Sequence, residues 1–362
     1  MSEIRQDVTT KEWVIIAPER GKRPSQRPQK KVETRELPVR DPDCPFCPGN
    51  EGNTPGDVLR IPADKGKDWQ VRVVPNRFAA LTPDQSVNRV EDGRFFRKMG
   101  GFGVHEVIIE SPVHNTSPAL MTYDHLEKVL SAYRERYNAL KKDPRIKCIT
   151  IFKNHGWTAG TSLVHPHSQL VATPVMAPYY NRKFDVAHDY YADRGRCLYC
   201  DLIAWDLEHA HDRVVADTEE FLVVQPYASH VSYETWILPR RHHASFGIYP
   251  ESLLGEMALV LKDTLFCLYR GLDNPSYNMM IDSTSTEDED DPYYHWHIRI
   301  MPRLNTIAGF EIGSGIYIST ALPEDTAAVL RRIATTCAEV TCPAFKDEPS
   351  ESAGPTAAPA GG

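Results

Sequence analysis

Two Cys-x-x-Cys pairs, Cys44-Pro45-Phe46-Cys47 and Cys197-Leu198-Tyr199-Cys200, constrain this chain more than any other feature. With 362 residues, 41% of them apolar and 25% charged, the chain can build ordinary cores of about two domains. It does not need disulfide staples. It has no run of 18 apolar residues, and its first ten residues, MSEIRQDVTT, lack the apolar core of a leader. The expectation is a soluble cytoplasmic protein with no membrane partner. In a reducing compartment such a pair is a set of metal ligands, a redox dithiol or two buried apolar thiols. Cys148 and Cys267 lie in apolar runs (IKCITIF and LFCLYR) and read as core residues. Cys337 and Cys342 receive no role.

The histidines downstream of each pair favour metal. After the first come VHEVIIESPVH, ending at His114, and SLVHPHSQLVATP, with His165 and His167. After the second come ETWILPRRHH, with His242 and His243, and YYHWHIRIMPR, with His295 and His297. His114 and His165 are 51 residues apart, and His242 and His295 are 53 apart. The order of pair, histidine, helix and His-x-His therefore occurs twice, which is an internal duplication. The segments QVRVVPNRFAAL, HEVIIESP and CITIFKN read as strands in the first copy. FLVVQPYAS, YETWILPR, YNMMIDS and HWHIRIMP do so in the second. Apolar residues at helical spacing mark helices near 123–141 and 250–270. Each copy is thus an α+β unit with an antiparallel sheet. The expected boundaries are 1–185 and 186–345, followed by a disordered tail over 346–362 that is rich in Pro, Ala and Gly. RPSQRPQKKVETRELP reads as an extended arm.

Zinc in a structural site takes four thiolate and imidazole ligands. Cys44, Cys47, His114 and His165 supply one set. Cys197, Cys200, His295 and either His242 or its neighbour His243 supply the other, with His242 the residue assigned. Each Cys-x-x-Cys is expected on a turn, and zinc is the expected metal, with iron as its substitute. The histidine spacing is far too long for a nucleic-acid zinc finger. The net charge of −8 likewise argues against a nucleic-acid partner.

The run His165-Pro166-His167-Ser168-Gln169 carries the chemistry. Residues i and i+2 of a strand share a face, so His167 projects beside a metal-anchored position, with Gln169 next along. A hydrogen bond on one ring nitrogen would fix the His167 tautomer and leave the other nucleophilic. The preceding 154–162 segment, NHGWTAGTS, offers glycines and hydroxyls to an anion. Neither a P-loop nor a dinucleotide-binding glycine fingerprint is present. His297 holds the corresponding place in the second copy but is followed by IRIMPR, and it reads as structural. The acidic run at 287–291 reads as a solvated loop.

His165-Pro166-His167-Ser168-Gln169, the upstream Phe152-Lys153-Asn154-His155-Gly156 and the opening Ala17-Pro18-Glu19-Arg20-Gly21-Lys22-Arg23-Pro24 resemble the galactose-1-phosphate uridylyltransferases, a branch of the histidine-triad superfamily. The resemblance implies two histidine-triad-like halves and a homodimer. It implies a His167 nucleophile that carries a covalent nucleotide, with Gly160, Ser162 and Gln169 on the phosphates. Arg20, Arg23, Asn76 and Asn154 match nucleotide or phosphate contacts, while Phe310 and Glu311 match a sugar-binding segment. The implied activity is ping-pong uridylyl transfer between UDP-glucose and galactose 1-phosphate. Ser168, a second Cys-x-x-Cys and the Gly309-to-Gly315 run also resemble the ADP-glucose phosphorylases, which implies the alternative of adenylyl transfer from an ADP-sugar to phosphate. A nucleoside diphosphate sugar and a sugar 1-phosphate are the implied small-molecule partners. Simpler histidine-triad hydrolases carry a third histidine where this chain has Gln169.

Overall fold

The computed structural model describes residues 1–22, 37–63 and 68–338. Arg23, most of the arm beyond it, Cys342 and the tail over 346–362 lie outside the described residues, as do the side chains from 337 onward. Ten strands form one antiparallel sheet. In chain order, the first five are β3 (Leu59–Pro62), β4 (Trp69–Pro75), β7 (Val104–Ile109), β8 (Cys148–His155) and β9 (His167–Thr173). The other five are β10 (Val214–Asp217), β11 (Phe221–Val224), β12 (Thr235–Pro239), β13 (Tyr277–Asp282) and β14 (His297–Pro302). Their spatial order is β10-β11-β12-β14-β13-β8-β9-β7-β4-β3. Each half thus contributes five strands in the same arrangement, and the halves join through the antiparallel pair β8 and β13. The α+β class and the antiparallel sheet expected from the sequence are present.

Side-chain alternation gives the sheet two apolar faces. Ile108, Ile149, Ile151, Leu170, Ala172, Ile237, Met279 and Ile298 pack on one face with residues of two long helices, α1 (Tyr123–Leu140) and α4 (Leu254–Gly271). The helices bury Leu126, Val129 and Leu130, and Met257, Leu261, Leu265 and Cys267. Thr122 caps α1 by accepting the His125 N–H on its side chain. Cys148 is buried as well.

The opposite face is covered differently in the two halves. In the first, the Cys44–Cys47 turn brings Cys44, Phe46 and Cys47 against Trp69, Val74, Val107 and Ile109. In the second, α2 (Pro178–Arg194) and α3 (Leu198–His209) cover Leu222, Val224, Trp236 and Leu238. These helices differ from the expectation of two like turns, because Cys197 is the N-cap of α3 and Cys200 lies inside it. A small sheet of β1 (Glu3–Gln6), β2 (Trp13–Ile16) and β15 (Tyr317–Ser319) stands apart from the large one. An exposed hairpin, β5 (Val90–Asp92) with β6 (Phe96–Lys98), and helices α5 (Gly309–Ser314) and α6 (Pro323–Ala338) complete the strands and α-helices among the described residues. Among the described residues, no helix is long and apolar enough to cross a membrane.

Candidate active site and metal centres

On β9 the alternation separates two kinds of residue. His167 and Gln169 share the face opposite α1, while Ser168, Leu170 and Ala172 face the helix. His165 precedes the strand, at a bend. His167 Nδ1 lies 2.8 Å from the His165 carbonyl oxygen. A carbonyl can only accept, so Nδ1 carries the ring proton and Nε2 keeps its lone pair. Among the described residues nothing hydrogen-bonds Nε2. Burial to 8% exposure favours the neutral imidazole and pushes its pKa below the ordinary value. The Phe46 ring meets the His167 ring edge-on at 5.4 Å.

Ser168 points away from the face that carries His167 and Gln169, into a buried network behind it. Its Oγ donates to Glu110 Oε1 at 2.5 Å, and Tyr133 of α1 donates to the same oxygen at 2.7 Å. Lys153 Nζ pairs with Glu110 Oε2 at 2.6 Å and donates to the His167 carbonyl at 3.0 Å. Burial alone would raise the Glu110 carboxyl, but the Lys153 ammonium and the two hydroxyls outweigh it and hold it below the usual carboxylate range.

Around Gln169 the structure gathers Asn76, at the end of β4, and His105, on β7. His105 Nε2 is 2.8 Å from Gln169 Oε1, and Asn76 Nδ2 is 3.5 Å from the same oxygen. On the same face Asn278 of β13 donates to Asn154 Oδ1 at 2.8 Å and to the Ala159 carbonyl at 2.9 Å. The second half therefore braces the glycine turn of the first. Gly160 sits there at φ 90°, with Asn154 Nδ2 4.0 Å from where a Cβ would lie. Ser162 is exposed on the loop leading to β9. Arg20 is exposed on the turn after β2, and Phe310 and Glu311 lie on α5, just ahead of β15. Among the described residues, no hydrogen bond, ion pair or ring contact joins these three to His167 or Gln169. His105, Asn278, Glu110 and Lys153 escaped the sequence reading. His105 alternates in phase with the strand's other outward residues, which was the one available signal.

Ligand atoms converge in two places. Those of Cys44, Cys47, His114 and His165 all lie within 4.8 Å of one another, as do those of Cys197, Cys200, His242 and His295. Bonds of about 2.3 Å to sulfur and about 2.0 Å to nitrogen at a tetrahedral angle put sulfur and nitrogen about 3.5 Å apart. Cys47 Sγ is 3.5 Å from His114 Nδ1 and 3.6 Å from His165 Nδ1; Cys200 Sγ is 3.4 Å from His242 Nδ1 and 3.6 Å from His295 Nδ1. The rings are aimed by bonds on their far sides. Nε2 of His165, His295 and His242 donates to the carbonyls of Ser111 (2.7 Å), Pro239 (2.8 Å) and Asp291 (2.9 Å). His242, not His243, joins the second group. The 287–291 run is more than a solvated loop: Glu289 pairs with Lys141, just past the end of α1, at 2.6 Å and accepts from Ser245.

His297 repeats the His167 geometry, with Nδ1 3.0 Å from the His295 carbonyl. Its Nε2, however, is 3.0 Å from Lys183 Nζ of α2 and 3.4 Å from Asp282, and Trp236 stacks on the ring. It is fully buried.

Fold and relatives together define a nucleotidyltransferase built from two histidine-triad-like halves. The family model described as galactose-1-phosphate uridyl transferase, N-terminal domain, matches residues 1–177. The chain is 33% identical to an ADP-glucose phosphorylase of Arabidopsis thaliana over 92% of this chain and 93% of the relative. It is 29% identical to a galactose-1-phosphate uridylyltransferase of Thermotoga maritima over 91% of this chain and 98% of that one. The crystal structure of an Arabidopsis thaliana ADP-glucose phosphorylase with bound ADP-glucose superposes with a TM-score of 0.79 at 32% identity, covering 91% of this chain and 98% of that one. This chain belongs to the galactose-1-phosphate uridylyltransferase family.

Proposed function

We propose that the enzyme transfers a nucleoside monophosphate from a nucleoside diphosphate hexose by way of a covalent nucleotidyl-histidine on His167. The observation that carries this reading is the lone pair on His167 Nε2, left free by the Nδ1 bond to the His165 carbonyl. Nε2 attacks the α-phosphorus; the nitrogen–phosphorus bond forms as the bond to the bridging oxygen breaks, and the hexose 1-phosphate leaves with that oxygen's electron pair. An oxygen of a second phosphate then attacks the same phosphorus and restores the imidazole. The Gln169 amide meets the charge that develops on the phosphoryl oxygens. Asn76, Asn154, Gly160 and Ser162 surround the nucleotide and its phosphates. Arg20, Phe310 and Glu311 stand around the small sheet, and Arg23 comes three residues after Arg20 in the chain. A homodimer that sets one copy's small sheet against the other's β9 face completes the site.

The donor we favour is ADP-glucose with inorganic phosphate as acceptor, supported by the 33% identity to the Arabidopsis thaliana phosphorylase over most of both chains. The second reading, uridylyl exchange between UDP-glucose and galactose 1-phosphate, has the Thermotoga maritima relative in its favour. The two Cys₂His₂ groups suit zinc, with iron the alternative. A metal there holds the ends of β9 and β14 in place and takes no part in the transfer.

Incubating the enzyme separately with ADP-glucose and UDP-glucose, and mapping the adduct by peptide mass, tests the proposal. AMP on His167 supports phosphorolysis of ADP-glucose, whereas UMP alone supports the uridylyl reading. Absence of both adducts refutes the covalent mechanism.

A further inference from the structure

Gln169 can help a phosphoryl transfer only if its carboxamide is turned the right way. The NH₂ group attracts an anionic oxygen and the carbonyl repels it, and the two ends of an amide have nearly the same shape. What settles the orientation is the set of partners, and these lead back to the backbone of one turn. The Ala80 N–H donates to His105 Nδ1 at 3.3 Å, so Nδ1 holds a lone pair and the ring proton sits on Nε2. That Nε2–H points at Gln169 Oε1, 2.8 Å away. Asn76 is oriented by the same turn, because its Oδ1 accepts the Phe78 N–H at 2.8 Å. Its Nδ2 must then donate, and Gln169 Oε1 at 3.5 Å is an acceptor within reach. With His105 in this tautomer, the 3.1 Å approach of Asn76 Nδ2 to His105 Nε2 is a contact without a bond. The Asn76 N–H donates to the His105 carbonyl at 2.8 Å, which ties the turn to β7. Gln169 Oε1 is thus taken twice, while its Nε2 has no partner among the described residues. Turning the amide over would lose the short bond and set NH₂ against N–H.

We propose that His105 is a positioning residue for nucleotidyl transfer: its Nε2–H holds the Gln169 carbonyl, so that the Gln169 NH₂ stays aimed across the outward face of β9 at the phosphoryl group carried by His167. This rests on the reading of His167 as nucleophile. Because both half-reactions pass charge through the same phosphoryl oxygens, His105 serves both. The Asn76–Ala80 turn, which also carries a nucleotide contact, sets the tautomer.

The test measures the rate of His167 nucleotidylation in the full-length enzyme, using the sugar nucleotide that labels the wild type. His105→Phe keeps a flat ring and removes the donor. It is expected to slow nucleotidylation by about ten- to a hundredfold, below the roughly hundred- to thousandfold for losing a preorganised donor outright because Gln169 itself remains, with little change in the sugar nucleotide's KM. His105→Gln retains an amide N–H and is expected to recover most of the rate. In a Gln169→Ala background His105→Phe should add less than about threefold, since nothing is left to position. Should the Phe variant not fold, His105→Asn, whose shorter side chain withdraws the donor, is read in its place. A wild-type rate in the variant overturns the proposal, and so does a loss that multiplies fully in the Gln169→Ala background. A wild type that takes no label on His167 overturns the underlying mechanism as well, which separates the two failures.

Discussion

Lys153 and Glu110 place two full charges in the core behind β9, at 1% and 0% exposure. Such a pair adds little net stability, but removing one partner strands the other in a medium that cannot solvate it. Lys153→Met is therefore expected to cost about 3–5 kcal/mol in denaturant unfolding, and Lys153→Met with Glu110→Leu much less. A single variant as stable as the double would refute that account. The pH dependence is set by the direction of the shift. The folded-state pKa of Glu110 lies below its unfolded value, so its contribution is complete above the ordinary carboxylate range and is lost as pH falls through the folded value. Lys153→Met should lose this acid-side slope. Ser168 offers a contrast at the next position. Its hydroxyl serves Glu110 and not the substrate face, so Ser168→Ala should lower stability by about 1 kcal/mol and leave the rate of His167 labelling unchanged.

At the scale of elements, the two candidate metal groups differ in what they join. The first ties the Phe46 turn to the bend before β9, and Phe46 lies against the His167 ring. The second ties the start of α3 to the segment leading into β14, around a sealed His297. Cys47→Ala is accordingly expected to abolish metal at the first group and slow His167 labelling at least tenfold. Cys200→Ala should remove metal from the second and lower the Tm, yet leave labelling of the folded fraction intact. Metal content, Tm and the labelling burst measured on both variants check this, and equal losses of labelling would sink the distinction. The same asymmetry shows what the sequence could reveal. Seven of the eight candidate ligands were legible in the spacing of cysteines and histidines, while His242 and its neighbour His243 were told apart only by the approach of His242 to Cys200. The difference between a turn at Cys44 and a helix at Cys197 was not legible, since both have the same Cys-x-x-Cys form. Nothing in the sequence marks Lys153 as buried before Glu110 is placed beside it, and Asn278 reaches Asn154 only through a strand pairing 124 residues distant.

The molecule as a whole is two copies of one unit fused along an edge. β8 and β13 meet antiparallel, with Phe152 opposite Met280 and Ile151 opposite Ile281, as two identical subunits would about a two-fold axis. Duplication let the copies diverge: one left His167 Nε2 without a hydrogen-bond partner among the described residues, while the other filled the equivalent place with Lys183, Asp282 and Trp236. The second copy is not thereby idle. It covers the β8 edge, which otherwise presents unpaired backbone groups, and it supplies the Asn278 amide that braces the glycine turn. A fragment ending at residue 177, just before α2, should therefore self-associate through β8 or aggregate, and it should fail to label His167. Co-expression with a fragment from residue 178 onward should restore a one-to-one complex that labels. Size-exclusion chromatography with adduct mapping reads both outcomes. A monomeric first fragment that labels at the intact enzyme's rate would show that the second half is dispensable to the site, and the bracing role assigned to Asn278 would fall with it.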